Sequence, residues 1–387
     1  MSKGIVHKTD IFNRTYTVNS VGDANCIYID TTKELPRHNI YWQFENQYYD
    51  YHTSNKRSYL IDFGYSSKAL FTDNVKRLAY KTDEFLLSHY HLDHYKGLEH
   101  ISDNSLLIEK LYYPYIPEIK DDSEIHDKIL NVVHFMVAID TKLNAGSMGL
   151  GLISLLMRKN LFADFDYTPV FKGMSVFDGE YEVIWPPKEL DYNDKTTKSL
   201  KTGIDRIEAA LNKESEIKKM WVSFNREINS NSGKKQLQLF EDDFERKYYA
   251  IIKNYNIDIT KYKKVINTLR EAVRDVTNRF SVCLFKKGEF LFLGDLEKPE
   301  LKACITDLAV KHYGKLKVKY LITPHHGTTN HYWSDIANYV EPEYVISSNG
   351  ERGFEKYAEQ YRELASIEDY CTNDGTFDSR TLNSSEQ

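Results

Sequence analysis

Three apolar runs in this chain of 387 residues end in side chains that can bind metal ions. The run EFLLSHYHLDH (84–94) ends in three histidines and an aspartate, EFLFLGD (289–295) ends in an aspartate, and KYLITPHHG (319–327) ends in a histidine pair. Short apolar runs bounded by turn residues or charges are typical of buried strands. The pattern predicts a fold in which several strands carry polar groups at their ends.

The first cluster places His89, His91, Asp93 and His94 within six positions, although the whole chain has only 13 histidines. Neutral imidazole and carboxylate are the ligands of zinc and similar divalent ions. Because alternate residues of an extended chain point the same way, His89 and His91 can bind one ion together. Asp93 and His94 follow as the chain turns away and can reach a second ion, which predicts a two-metal site.

The two later runs offer the ligands that the first cluster lacks. Asp295 follows a glycine at the end of its run, where a carboxylate can bridge two ions. His325 and His326 repeat the pattern of an apolar run followed by potential ligands. Read alone, Asp295 could equally form a turn, and the histidine pair could belong to a loop or a helix cap. Beside the first cluster, we interpret them as further metal ligands.

Taken in order, these motifs resemble the metallo-β-lactamase fold family, in particular the hydrolase domain of ComEC/Rec2-type competence proteins. The resemblance rests mainly on HxHxDH, the Gly-Asp strand end and PHHG. Weaker matches, which count only in their order, are residues 21–25, 61–64, 278–281 and 372–375. The resemblance covers about residues 15–187 and 276–376, with helical insertions at about 118–165 and 190–275.

This resemblance implies an α/β fold, specifically one metallo-β-lactamase αββα sandwich domain with helical insertions and a two-metal hydrolase site at one edge. The implied metal ligands are His89 and His91 for the first ion, Asp93, His94 and His325 for the second, and Asp295 as the bridge between them.

Further residues have implied roles around these ligands. Asp93 or His326 would carry a proton in the reaction. Asp62 would hold the metal-binding loop through hydrogen bonds. Many relatives supply a third histidine to the first ion, and here Asn278, Ser281 or a water molecule is expected to take its place.

Two divalent ions ~3.5–4 Å apart can bind both the attacking and the leaving oxygen of a phosphate, which favours a phosphodiesterase or nuclease acting on nucleic acid or a nucleotide. One alternative is a hydrolase of small esters, lactones or thioesters that uses the same ions. Another is a non-catalytic metal-binding protein whose helical insertions bind a protein partner. Zinc suits imidazole-rich sites, and manganese is the alternative ion.

The composition predicts a folded protein with no membrane partner. A hydrophobic content of 41% is enough for a sizeable core, and the net charge of −6 argues weakly against broad coating by nucleic acid. The four cysteines are far apart, as is usual for reduced thiols, and the first residues form no apolar signal segment. We therefore expect a soluble, cytoplasmic protein.

Overall fold

The computed structural model describes residues 13–32, 43–44, 47–48, 56–100, 108–142, 166–192, 194–230 and 258–382. The strands are β1 (Asn13–Val18), β2 (Ile27–Thr32), β3 (Gln43–Phe44), β4 (Gln47–Tyr48), β5 (Lys56–Ile61), β6 (Glu84–Leu86), β7 (Lys110–Pro114), β8 (Glu118–Ile119), β9 (Asp166–Val170), β10 (Ser175–Val176), β11 (Tyr181–Trp185), β12 (Glu189–Leu190), β13 (Cys283–Lys286), β14 (Phe290–Phe292), β15 (Leu316–Ile322), β16 (Val340–Ser347), β17 (Glu368–Cys371) and β18 (Phe377–Asp378). The helices are α1 (Asp73–Ala79), α2 (Ser123–Lys142), α3 (Lys195–Leu211), α4 (Ser215–Ser230), α5 (Lys263–Asn278), α6 (Lys298–Lys311), α7 (Glu351–Phe354), α8 (Gln360–Leu364) and α9 (Ser379–Leu382).

Two sheets of seven strands each form the centre of the fold. The first has the order β18-β1-β2-β5-β6-β7-β9, and the second has the order β10-β11-β13-β14-β15-β16-β17. Strands β5, β6, β7 and β9 run parallel to one another, and so do β14, β15, β16 and β17. Each sheet therefore has a parallel half whose carboxyl ends meet at one edge.

The two sheets pack face to face through apolar side chains that alternate along their strands. Tyr59 of the first sheet stacks on Phe177, which precedes β11 of the second sheet, with ring centroids 4.7 Å apart. The outer face of the first sheet packs with residues of α2, α3, α4 and α5, and the outer face of the second packs with α6. The predicted α/β class is thus confirmed, with two central sheets between helical layers.

Helices also lie within the two segments for which the sequence predicts insertions. The first segment contains α2, and the second contains α3, α4 and most of α5. Residues 143–165 and 231–257 of these segments lie outside the described part of the chain. Among the residues that the structure does describe, no helix is long and apolar enough to cross a membrane.

The strand ends that carry the predicted ligands meet where the two sheets approach each other. Val282, just before β13, donates its backbone N–H to the carbonyl of Ser88, just after β6, at 2.8 Å. Gly64 allows the loop after β5 to approach the histidine cluster, because a Cβ at Gly64 would overlap the backbone oxygen of Asp93. This close approach brings the end of β5 against the first cluster.

Candidate metal centre

Two carboxylates and three imidazoles face one another at this edge. The Nε2 atoms of His89 and His94 each lie 3.7 Å from Oδ2 of Asp295. The Nε2 atom of His326 lies 3.8 Å from the same oxygen and 4.0 Å from Oδ2 of Asp93. These distances are too long for hydrogen bonds. They are close to the separation of about 3.4 Å between neighbouring ligand atoms around tetrahedral zinc. The donors therefore surround spaces of ionic size.

Asp62 and Ser88 decide which ring nitrogens of two histidines carry a proton. The Asp62 carboxylate accepts hydrogen bonds of 2.7 Å from Nδ1–H of His94 and from the Ser88 hydroxyl. Since that hydroxyl has a single hydrogen, its oxygen accepts from Nδ1–H of His89 at 3.1 Å. We assign the tautomers from this network: both Nε2 atoms keep a lone pair directed at Asp295.

Thr277 acts in the same way on His91. The Thr277 hydroxyl donates to the carbonyl of Arg274 at 3.2 Å, so its oxygen accepts from Nε2–H of His91, also at 3.2 Å. The lone pair of His91 is then on Nδ1, which lies 3.0 Å from Nε2 of His89. Two ring lone pairs at this separation can bind one ion together.

Electrostatics keep His89, His91 and Asp295 in the states that bind metals. Burial lowers the pKa of His89 well below its ordinary value and lowers that of His91 to about 3. Burial alone would raise the pKa of Asp295, but four surrounding histidines hold it well below its ordinary value. Burial alone would lower the pKa of His94, but three nearby carboxylates raise it well above its ordinary value, so an ion at Nε2 of His94 would have to displace a proton. The cluster thus has an excess of negative charge that attracts a cation.

Several buried polar atoms at this edge have no hydrogen-bond partner among the described residues. They include Nε2 of His94, Oδ1 of Asp295 and Oδ1 of Asn278. Such unsatisfied atoms are rare in folded proteins and indicate a missing ligand, water or ion. By contrast, the hydroxyl of Ser281 donates to the carbonyl of Asn278 at 2.8 Å. The donor set therefore fits a divalent ion, and the His/Asp clusters can bind one.

His326 and His325 take different positions from those that the resemblance implies. His326, assigned to proton transfer, forms a ligand group with Asp93 and His94. Its Nδ1–H donates to the carbonyl of Ser348 at 2.7 Å, which leaves the Nε2 lone pair directed at the two aspartates. His325, assigned to the second ion, lies outside this group.

His325 lies between two carboxylates. Its Nδ1 is 3.4 Å from Oδ2 of Asp295, and its Nε2 is 3.5 Å from Oε1 of Glu297. Both histidines of the pair have left-handed backbone angles, with φ of 47° at His325 and 59° at His326. This backbone turn directs the two consecutive rings into different groups.

Four residues of the site were missed by sequence reasoning: Ser88, Thr277, Glu297 and His331. Ser88 and Thr277 act through hydroxyl hydrogen bonds, which leave no periodic signal in a sequence. Glu297 and His331 form a further ligand group with His325. The available signal was that Glu297 closely follows Asp295, in GDLE, and that His331 closely follows the histidine pair, in HHGTTNH.

The centre opens into a cleft of about 860 Å³. One wall is a face of α5, on which Asn267, Arg270, Arg274 and Asn278 recur at spacings of three and four. Apart from the candidate ligands, the charged lining residues are Asp23, Lys96, Arg270, Glu271, Arg274 and Lys356. The approach to the centre therefore carries four cations against two carboxylates.

Comparison with known proteins adds no family to this geometry. No protein-family model matches the chain, and no curated protein matches it. The likeness to the metallo-β-lactamase family rests on the motifs quoted above and stays a prediction.

Proposed function

We propose that this protein is a metal-dependent phosphodiesterase of the metallo-β-lactamase fold, acting on nucleic acid or a nucleotide. The observation that carries this proposal is the convergence of four histidine lone pairs and two carboxylates at the bottom of a cationic cleft. The two sheets between helical layers are compatible with the fold. Zinc is the preferred ion because the donors are mostly imidazoles, and manganese is the alternative.

The distances favour one division of the ligands between two ions. Nε2 of His89 and Nδ1 of His91 would hold the first ion. Asp93, His94 and His326 would hold the second. Asp295 would contribute to both, because its Oδ2 atom faces donors of each group. When bound, two such ions stabilise the attacking and leaving oxygens of a phosphate and lower the pKa of a bound water.

Asp93 is the proposed proton carrier. Burial alone would raise its pKa, but neighbouring histidines lower it below the ordinary value, so the carboxylate is ionised and can accept a proton. A third of its side chain is exposed, at 33%, and it lines the cleft. The only ring lone pair of His326 would bind the ion, because its Nδ1–H donates to Ser348, whereas the Asp93 carboxylate has a second oxygen that can accept a proton.

The charge of the cleft favours a substrate with several phosphates over a neutral ester or lactone. Arg270 and Arg274 lie on the wall formed by α5, with Lys96 and Lys356 also lining the cleft. Guanidinium groups bind phosphate oxygens through paired hydrogen bonds, whereas a lactone offers no anionic group to recognise. A polyanionic substrate would thus be held by the wall and presented to the centre.

The test begins with elemental analysis of protein purified in excess zinc or manganese, followed by hydrolysis of bis-p-nitrophenyl phosphate. We expect bound ions and diester hydrolysis that a chelator removes and added ions restore. A protein that binds no divalent ion, or that hydrolyses lactones and no phosphodiester, would contradict the proposal.

Charge reversal on the α5 wall should separate polymer substrates from small ones. In a variant with Arg270→Glu and Arg274→Glu, we expect weaker binding and cleavage of DNA or RNA and little change on the small diester, which reaches only the centre. The slope of log affinity against log salt should fall by about one for each lost phosphate contact.

The matched control carries Lys218→Glu and Lys219→Glu, the same change of charge on α4. Neither lysine lines the cleft, so both activities should stay close to those of the unaltered protein. An equal loss with both double variants would point to net charge alone and would remove the assigned role of α5. From the sequence alone, phosphate contacts are predicted for the lysines at 218, 219, 234 and 235. The first two do not line the cleft, and positions 234 and 235 lie outside the described residues.

A further inference from the structure

We propose that Glu297, His325 and His331 form a separate site for a divalent cation, zinc by its ligand set, beside the metal centre. This proposal goes beyond the phosphodiesterase function and does not depend on it. The site lies where the loop after β14 meets the loop after β15. His325 and His331 also line the cleft, so a bound ion would face the same space as the substrate.

The distances fit coordination better than hydrogen bonding. Nε2 of His325 lies 3.5 Å from Oε1 of Glu297, and Nε2 of His331 lies 3.6 Å from Oε2 of the same carboxylate. Both values exceed the usual N–H···O range, yet they are close to the about 3.4 Å between neighbouring ligands of tetrahedral zinc. One ligand atom from each residue lies within 4.8 Å of the other two. The three side chains thus surround a space of ionic size.

Thr328 fixes the orientation of His331. The Thr328 hydroxyl donates to the carbonyl of His325 at 3.1 Å, so its oxygen accepts from Nδ1–H of His331 at 2.9 Å. The lone pair of His331 is then on Nε2, which is the atom directed at Glu297. Ligand histidines are commonly fixed in this way, with the ring N–H donating to a neighbouring oxygen.

His325 is prepared for the same role. Its Nδ1 faces the ionised Asp295 at 3.4 Å, which favours a proton on Nδ1 and a lone pair on Nε2. That Nε2 atom is buried and has no hydrogen bond among the described residues. The ring stacks on that of His331, with centroids 3.6 Å apart and planes 17° apart, so both edges face Glu297. An ion in this space would satisfy the unpaired atom.

Two imidazoles and one carboxylate are a known ligand set for zinc, and three protein ligands leave one position open. The site is distinct from the centre because its carboxylate, Glu297, belongs to neither of the other ligand groups. His325 connects the two regions, since one ring nitrogen faces Asp295 and the other faces Glu297.

The experiment measures zinc stoichiometry and affinity by elemental analysis and chelator competition on the full chain. His331→Ala and Glu297→Gln are each compared with the unaltered protein, and the glutamine keeps the shape of the side chain while removing its charge. His126→Ala is the control, because His126 lies on α2, donates Nδ1–H to the carbonyl of Pro117 and does not line the cleft. Thermal unfolding checks that every variant is folded.

We expect His331→Ala and Glu297→Gln each to lose one zinc ion per chain, or to bind one ion at least tenfold more weakly, while His126→Ala loses none. In ¹⁵N-histidine spectra, the Nε2 resonance of His331 should shift as zinc is added. A combined His331→Ala and His89→Ala variant should lose two ions.

Unchanged stoichiometry and affinity in both single variants would overturn the proposal. So would a combined variant that loses only one ion, because His331 and His89 would then share it. If the protein shows no phosphodiesterase activity but His331→Ala and Glu297→Gln each lose one ion, the separate zinc site is still supported. The outcome of one proposal therefore does not decide the other.

Discussion

Asn in place of Asp295 is expected to lower diester hydrolysis by more than about 100-fold, since even residues that only orient metal ligands contribute 10–100-fold. Asp295 Oδ2 lies 3.7 Å from Nε2 of both His89 and His94 and 3.8 Å from Nε2 of His326. Asparagine has nearly the same shape but no negative charge, and it would present either a weaker oxygen donor or an N–H group to these lone pairs. Both ligand groups should therefore bind their ions less tightly.

Steady-state hydrolysis of bis-p-nitrophenyl phosphate and zinc content are the measurements for Asp295→Asn. Asp307→Asn is the matched control, because Asp307 is an exposed aspartate on α6 that pairs with Lys172. Thermal unfolding should show that both variants are folded. Undiminished hydrolysis by folded Asp295→Asn would mean that this carboxylate is not shared between the ions, and the proposed division of ligands would be wrong.

The strand ends were predictable because each is a local feature of the sequence. An apolar run followed by histidine or aspartate identifies a buried strand and the polar group after it, and the cluster at residues 89–94, Asp295 and the pair 325–326 all lie after strands of two neighbouring sheets. Parallel pairing then brings carboxyl ends to one edge. Local patterns were therefore sufficient to bring most of the candidate donors together.

The assignment of His325 and His326 to different ligand groups was not predictable, because it depends on backbone angles set by the surrounding structure. The carbonyl of Ser348, 22 residues further along, orients His326, and Glu297 faces His325.

Only one of the two faces of α5 could be predicted from the sequence. Val265, Leu269 and Val273 recur at a spacing of four, which is the pattern of a packing face, and these residues are buried. The opposite face lines the cleft, which no spacing rule reveals.

The second large effect is expected for Asp62→Asn, which should weaken zinc binding by about 10–100-fold without removing any ligand. Asp62 is fully buried, and its two oxygens accept from the backbone N–H of Ser88, the hydroxyl of Ser88 and Nδ1–H of His94, each at 2.7 Å. An asparagine can keep only one of its two ends as an acceptor. If its oxygen stays with the backbone N–H of Ser88, its NH₂ group meets the hydroxyl and His94.

That exchange changes the tautomers of two ligands. His94 would accept at Nδ1 and carry its proton on Nε2, the atom directed at Asp295. The Ser88 hydroxyl would accept from the amide and be free to donate to Nδ1 of His89, which would place the proton of that ring on Nε2 as well. The opposite amide orientation fails too, because NH₂ would then face the backbone N–H of Ser88. Each ring would have to lose the proton on Nε2 before that atom could bind an ion.

Chelator competition for zinc and long-range ¹H–¹⁵N spectra of the histidine rings test this prediction, since the spectra distinguish the two tautomers. Asp83→Asn is a closely matched control: Asp83 accepts from the backbone N–H of Ser58 at 2.7 Å and from its hydroxyl at 2.9 Å, but it precedes β6, at the strand end opposite the histidine cluster. Ser88→Ala should weaken zinc binding to an intermediate degree. It removes the hydroxyl that accepts from Nδ1–H of His89, but it leaves the hydrogen bond between His94 and Asp62. If folded Asp62→Asn binds zinc as tightly as the unaltered protein, then the proton positions at His89 and His94 do not control the site, and the lone pairs assigned to their Nε2 atoms would have to be abandoned.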